Sequence, residues 1–128
     1  FTVTTRSSVT GNTAFLGSDV LPHNDDGYVK LIGAGGTQTL FAASIGSVGA
    51  FQSTGWQSFG TIVDAGTYTL QFGVENIGDN LLSSQVLADN VAVAAVPEAS
   101  TWAMLLVGFA GLGVVATRRA AKAKPAIA

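Results

Sequence analysis

Residues 67–75 read Thr-Tyr-Thr-Leu-Gln-Phe-Gly-Val-Glu, a run in which polar and apolar side chains alternate. Successive side chains of a β-strand point to opposite faces, so every second residue shares one side. The apolar members fall on the same side: Tyr68, Leu70, Phe72 and Val74. This period of two predicts a half-buried antiparallel strand.

The strand pattern extends outward from this run over the first 95 residues. The turn-forming sequence Asp64-Ala65-Gly66 precedes it, so we predict a hairpin between residues 56–63 and 67–75. Further strands are predicted at residues 1–5, 27–32, 37–45 and 85–94. The segments between them are rich in Gly, Asn, Asp and Ser, which are typical of turns.

These strands predict a mainly β protein whose body, residues 1–95, is an antiparallel β-sandwich of the jelly-roll type. A complete sandwich usually has about seven or eight strands, so we expect part of this fold to lie upstream of Phe1. No internal repeat of fixed period is visible.

The composition excludes several classes of protein. Apolar residues make up 48% of the 128 and charged residues only 11%, which is the opposite of the balance in disordered chains. With no cysteine, disulfides, cysteine zinc sites and thiol nucleophiles are absent. Residues 1–97 carry two basic and seven acidic side chains, so no basic stripe predicts a nucleic-acid partner.

The C-terminal segment has a different character. Residues 99–117 contain no charge and would form a helix of roughly 28 Å, close to the thickness of a bilayer core. Trp102 stands at one end as an interfacial anchor, and Arg118 and Arg119 begin a basic end at the other. We therefore predict a transmembrane helix over about 100–117 and a cytoplasmic end at 118–128, with the body outside. The alternative is a buried core helix of a soluble domain.

The same segment resembles a known sorting signal. Residues 96–106 read VPEASTWAMLL, residues 108–113 read GFAGLG, and Arg118-Arg119 follow. This order of elements resembles the PEP-CTERM signal, and the resemblance covers residues 96–128. The sorting motif falls on Pro97, Glu98 and Ala99, with Ala99 standing where the family has a second proline.

The resemblance implies a function. PEP-CTERM signals are recognised by a membrane protease of the exosortase type in Gram-negative bacteria that make extracellular polysaccharide. The chain is then an exported, non-catalytic protein, anchored in the inner membrane with its body outside. After cleavage it would reach the cell surface or the extracellular matrix. Residues 66–70 and 87–91 are also similar to jelly-roll domains that precede such signals.

Two other functions remain open. One is a carbohydrate-binding module of the polysaccharide matrix that uses the same sandwich and the same signal. The other is a protein that stays anchored to the lipid bilayer because its tail is never cut.

The sequence predicts no catalytic residue. His23, the single histidine, lies in His23-Asn24-Asp25-Asp26-Gly27, which fits a metal ligand, a general base or a calcium loop but is more typical of a polar turn. The chain has no HExxH, P-loop or GxSxG motif. We therefore expect a protein that is not an enzyme.

Asp89 is the strongest candidate for binding a metal. By parity it shares a face with Leu87, Val91 and Val93, so in a regular strand it would point inward. A buried carboxylate needs a partner, and a structural calcium held with Asp25 or Asp26 would supply one. The alternative is a β-bulge that turns Asp89 to solvent. We expect no other cofactor.

Trp56 is the candidate ligand-binding residue. Together with Tyr28 and Gln57 it could form a surface on which a sugar stacks. The alternative, typical of aromatics in small sandwiches, is a place in the core.

Overall fold

A computed structural model describes residues 1–97 and 99–122, and in the C-terminal helix it excludes the side chains of residues 99, 115, 116 and 119–122. The elements in chain order are β1 (Thr2–Val3), β2 (Ser7–Leu16), β3 (Asp26–Gly33), β4 (Gly36–Ser44), α1 (Ile45–Val48), β5 (Gln57–Val63), β6 (Gly66–Thr67), β7 (Thr69–Glu75), β8 (Gln85–Ala95) and α2 (Ala99–Lys122). The chain divides into two compact units, Phe1–Val96 and Pro97–Ala128.

The first unit is built from antiparallel sheets, so the mainly β prediction is confirmed. One three-stranded sheet has the order β5-β2-β8 and the other has the order β4-β3-β7. The short strands β1 and β6 pair with each other. Except for the β3–β4 hairpin, each connection between the long strands passes from one three-stranded sheet to the other.

Side chains from both sheets pack into a common core. Phe15 of β2 and Phe59 of β5 meet Val29 and Phe41 from the other sheet, and Ile45 of α1 closes this cluster. A second cluster is made by Val3, Val9, Leu31 and Val63. Burial of this apolar surface from two facing sheets is what stabilises the unit.

The predicted hairpin between residues 56–63 and 67–75 is wrong. β5 pairs with β2, whereas β7 pairs with β3 in the other sheet. The chain between β5 and β7 crosses from one sheet to the other. Within this crossing β6 pairs with β1, and Tyr68 N–H donates to the Phe1 carbonyl at 2.9 Å. The turn sequence at 64–66 is therefore a crossing between sheets.

The central strand β2 was not predicted. Up to Thr13 its buried positions alternate with half-buried or exposed ones, but three of them are Ser7, Gly11 and Thr13. A polar or absent side chain at an inward position hides the period of two from hydrophobicity alone. Gly11 is required there because a Cβ would overlap the ring of Phe59.

The remaining boundaries agree closely with the sequence. The predicted strands at 27–32, 37–45 and 85–94 correspond to β3, β4 and β8, and the helix predicted over about 100–117 lies within α2. Of the predicted strand at 1–5, only β1 is formed. Within the part of the chain that the structure describes, no helix is both long enough and apolar enough to span a membrane.

Candidate functional site

The outer face of the β4-β3-β7 sheet carries a groove. Tyr28 is the central side chain of this face, opposite Ala42 on β4 and Gly73 on β7. Its ring lies over Gly73, where a Cβ would overlap the ring atoms. Because the ring occupies the β7 side, space remains above Ala42 on the β4 side.

The groove has a volume of about 430 Å³ and runs along β3 and β4. Asp26 lies toward one end of it, and Lys30, four residues further along β3, toward the other. The Lys30 ammonium nitrogen is 3.7 Å from the centroid of the Tyr28 ring, a cation–π contact. Other lining side chains are short and mostly polar: Asn24, Thr39, Ala42, Ser44 and Ser47.

Asp26 is the least satisfied group in this groove. It is half-buried, and its Oδ1 is fully covered yet has no hydrogen-bond partner. Burial raises the pKa of this carboxyl, and the facing Glu75 carboxylate raises it further, while Lys30 acts in the opposite direction. Glu75 is the direct cross-strand neighbour of Asp26. Because Oδ1 is closed to solvent, a hydrogen-bond donor placed in the groove would have to reach the carboxylate through its other oxygen.

Asp25, the adjacent residue, has a structural role. It is fully buried and accepts hydrogen bonds from Ile77 N–H at 3.0 Å and from the Ser84 hydroxyl at 2.8 Å. Ser84 N–H donates to it as well, at 3.3 Å. Burial acts to raise the pKa of Asp25, but these hydrogen bonds outweigh it and lower the pKa. The carboxylate therefore fastens the β7–β8 connection to the start of β3.

Residues 23–27 form the polar turn and strand start that the sequence favoured. The Nδ1 atom of His23 is 3.6 Å from an Asp79 carboxylate oxygen. Asn24 Oδ1 accepts a hydrogen bond from Gly46 N–H at 2.7 Å. These contacts hold the loops at this end of the unit together.

The prediction that Asp89 points inward is wrong. β8 contains a bulge, since Asn12 pairs with Asp89 while Thr10 pairs with Ala92. Asn90, at a φ of 52°, occupies the extra position, and its N–H donates to Asp89 Oδ1 at 2.7 Å. The added residue shifts the parity of the strand and leaves Asp89 exposed.

The predicted calcium ligands are consequently not brought together. Asp25 is occupied by hydrogen bonds from the chain, Asp26 faces the groove, and Asp89 is exposed on β8. Among the described residues, no group of three or more His, Asp or Glu side chains is placed to hold a metal ion.

Trp56 is exposed, with 57% of its surface accessible, so its alternative place in the core is ruled out. It directly precedes β5, whereas Tyr28 belongs to the other sheet. The stacking surface that was predicted from Trp56 and Tyr28 together is therefore not formed.

The residues of the sorting motif lie at the start of the second unit. Pro97 is exposed, Glu98 lies outside the described residues, and Ala99 is the first residue of α2. The predicted anchors Trp102 and Arg118 are exposed, and the side chain of Arg119 lies outside the description.

Sequence reasoning missed the groove itself. The sequence does not predict Lys30, Ala42 and Ser44 as site residues, because each is a common residue in β-strands. The pairing of β3 with β4 brings the groove residues together, since its register places Asp26 beside Ser44 and Tyr28 beside Ala42. Comparison with protein-family models, with curated proteins and with solved structures finds no match for this chain.

Proposed function

We propose that this chain is an exported, non-catalytic cargo protein with a jelly-roll-like body that is sorted through its C-terminal segment by an exosortase-type membrane protease. Before processing, α2 holds the protein at the inner membrane with the body outside and the basic end in the cytoplasm. Cleavage near Pro97 then releases the body to the cell surface or the extracellular matrix.

The observation that carries this proposal is the exposure of α2. Each large apolar side chain that is described in this helix is exposed to solvent, with 67% of Leu106 accessible. Apolar surface on this scale is unfavourable in water and marks contact with a membrane or a partner. A lipid bilayer would cover it. The search that found no membrane-spanning helix covers the described residues alone, whereas the uncharged run 99–117 also includes positions 99, 115 and 116, whose side chains are outside the described set.

The position of the motif also supports this function. Val96 N–H still donates to the Arg6 carbonyl at 2.9 Å, so the first unit is complete up to the residue before Pro97. Cleavage beyond this point would remove no strand of the body. Proline also disfavours helix at the residue that precedes it, which keeps α2 from extending back into β8.

The test is the intact mass of the full chain, exported in a bacterial host with and without an exosortase-type protease. We expect a product ending near Pro97-Glu98 only when the protease is present. Glu98→Ala should abolish processing, whereas Ala99→Pro, which restores the second proline of the motif, should increase it. Glu75→Ala is the matched control for loss of a carboxylate. A full-length mass under all conditions would contradict the proposal and support a stable anchor.

A second candidate function is carbohydrate binding by the body, and the exposure of Trp56 favours it. An exposed aromatic ring offers a face for a sugar ring. Pull-down of the chain on insoluble polysaccharide tests this candidate. Trp56→Ala should abolish the binding, while Phe51→Ala, which removes another exposed aromatic, should not. Equal binding by both variants would exclude Trp56 as the contact.

A further inference from the structure

We propose that the groove beside Tyr28 is a binding site for a neutral carbohydrate, in which a sugar hydroxyl donates a hydrogen bond to the accessible side of the Asp26 carboxylate. This site extends the carbohydrate-binding candidate to a second surface, and it depends neither on Trp56 nor on processing of the C-terminal segment.

The shape of the site is set by small residues on each side of Tyr28. Gly73 lets the ring lie over β7, and Ala42 leaves the β4 side open. The resulting volume of about 430 Å³ lies within the range of about 300–1,000 Å³ that is typical of small-molecule sites. Gln71 Nε2 lies 3.5 Å from the Tyr28 hydroxyl on the β7 side, which helps to hold the ring there.

The polar groups select for a ligand that donates hydrogen bonds. A carboxylate only accepts, and the half-buried Asp26 carboxylate lines the groove. The hydroxyls of Thr39, Ser44 and Ser47 line the same groove and can both donate and accept. A chain of sugar hydroxyls matches this arrangement.

The backbone of β3 is not available to a ligand in the groove. β3 is the central strand of its sheet and pairs with β4 on one side and β7 on the other. A peptide therefore cannot add to β3 as a strand, and a ligand that lies over β3 has to be recognised by the side chains that line the groove.

Charge argues against an acidic polysaccharide. Residues 1–97 carry two basic and seven acidic side chains, and Asp26 and Glu75 lie side by side at one end of the groove. The nearest cation, Lys30, is already engaged with the Tyr28 ring. A polyanion would be repelled by this surface, whereas a neutral sugar chain would not.

The test is titration of the isotope-labelled full chain, held in a phosphocholine detergent that has no sugar headgroup, with neutral oligosaccharides of glucose, xylose, mannose and N-acetylglucosamine. We expect saturable shifts of backbone amide signals around residues 26–30 and 42–47 with at least one of these sugars. Ala42→Phe should block the groove, and Gly73→Ala should displace the Tyr28 ring into it. Asp26→Ala should weaken binding roughly tenfold or more, the effect of losing a charged hydrogen bond.

Ala92→Phe is the matched control, since it adds the same ring at an exposed strand position of the other sheet. It should leave binding unchanged. The proposal is overturned if no neutral sugar gives saturable shifts, if Ala42→Phe binds as well as the wild type, or if alginate binds more tightly than every neutral sugar. Shifts confined to the surroundings of Trp56 would also overturn it and would leave the second candidate function standing. None of these outcomes changes the mass test of C-terminal processing.

Discussion

The two units of this chain are both rich in apolar residues but use them in opposite ways. In residues 1–96, Val9, Phe15 and Val29 are completely buried between the sheets. In α2 the described large apolar side chains are all exposed: Trp102, Met104, Leu105, Leu106, Val107, Phe109, Leu112 and Val114. The first unit thus draws its stability from its own core, whereas the described apolar side chains of the helix are exposed.

This contrast gives the largest expected effect. Phe15→Ala should lower the free energy of unfolding of the β unit by about 3–5 kcal/mol, because it removes a fully buried ring from the main cluster. Leu106→Ala also removes apolar surface, but it should leave that free energy unchanged because the side chain is exposed. Urea unfolding followed by the circular dichroism of the strands measures both. A comparable loss of unfolding free energy in the two variants would contradict the difference between a buried Phe15 and an exposed Leu106.

The next effect concerns the buried carboxylate of Asp25. Asp25→Ala should cost roughly 2–4 kcal/mol, since it leaves the Ile77 N–H and the Ser84 donors without a partner. Asp89→Ala is the control, because this carboxylate is exposed on β8. Equal unfolding free energies for the two variants would show that the β7–β8 connection is not fastened through Asp25.

The pH dependence of Asp25 follows from the same contacts. Its pKa in the folded state is lowered below the ordinary value of 3.8, so its contribution to stability is complete above that value. The contribution is lost as the pH falls through the folded-state pKa. The difference in stability between the wild type and Asp25→Asn should therefore be constant near neutral pH and shrink in acid. A difference that grows in acid would contradict the assignment.

Asp26 should behave in the opposite sense, with a smaller effect. Its pKa is raised above 3.8 by burial and by Glu75, so the folded state binds the proton more tightly than the unfolded chain does. Stability is then greatest below 3.8 and falls as the pH rises through the folded-state pKa. Asp26→Asn should be slightly more stable than the wild type at neutral pH and lose this advantage in acid. Thermal melting across this pH range is the measurement, with Asp64→Asn as a control on the exposed surface.

The parts of the fold that the sequence predicted are those whose pattern is local. β7 follows the alternation at Leu70 and Phe72, and α2 follows a long uncharged run. The pairing of β5 with β2 joins residues that are 44–56 positions apart. A turn at 64–66 has the same sequence pattern whether it joins two strands of one sheet or crosses between sheets. β2 was not predicted because Ser7, Gly11 and Thr13 occupy inward positions and interrupt the apolar pattern.

The candidate sites were likewise predictable only where they depend on neighbouring residues in the sequence. From the sequence, Asp25 and Asp26 were acids of a polar turn, and either of them was a candidate to share a calcium ion with Asp89. Their separation into a structural anchor and a groove residue depends on Ser84 and Glu75, which are contributed by distant segments. The inward direction of Asp89 was derived from parity, and a single added residue at Asn90 overturned it.

A further small effect is expected in β8, the strand of the β unit that most resembles α2 in its exposure, with 43% of Val93 accessible. Its bulge holds Asn90 at a φ of 52°, where residues other than Gly, Asn and Asp are strained. Asn90→Ala should therefore cost about 1 kcal/mol of unfolding free energy, while Asn90→Gly should change it by only a few tenths. Paired chemical unfolding curves measure the difference. If Asn90→Ala were as stable as Asn90→Gly, the bulge would not need a left-handed residue. β8 could then adopt a regular register with Asp89 turned inward, and the calcium hypothesis would have to be reopened.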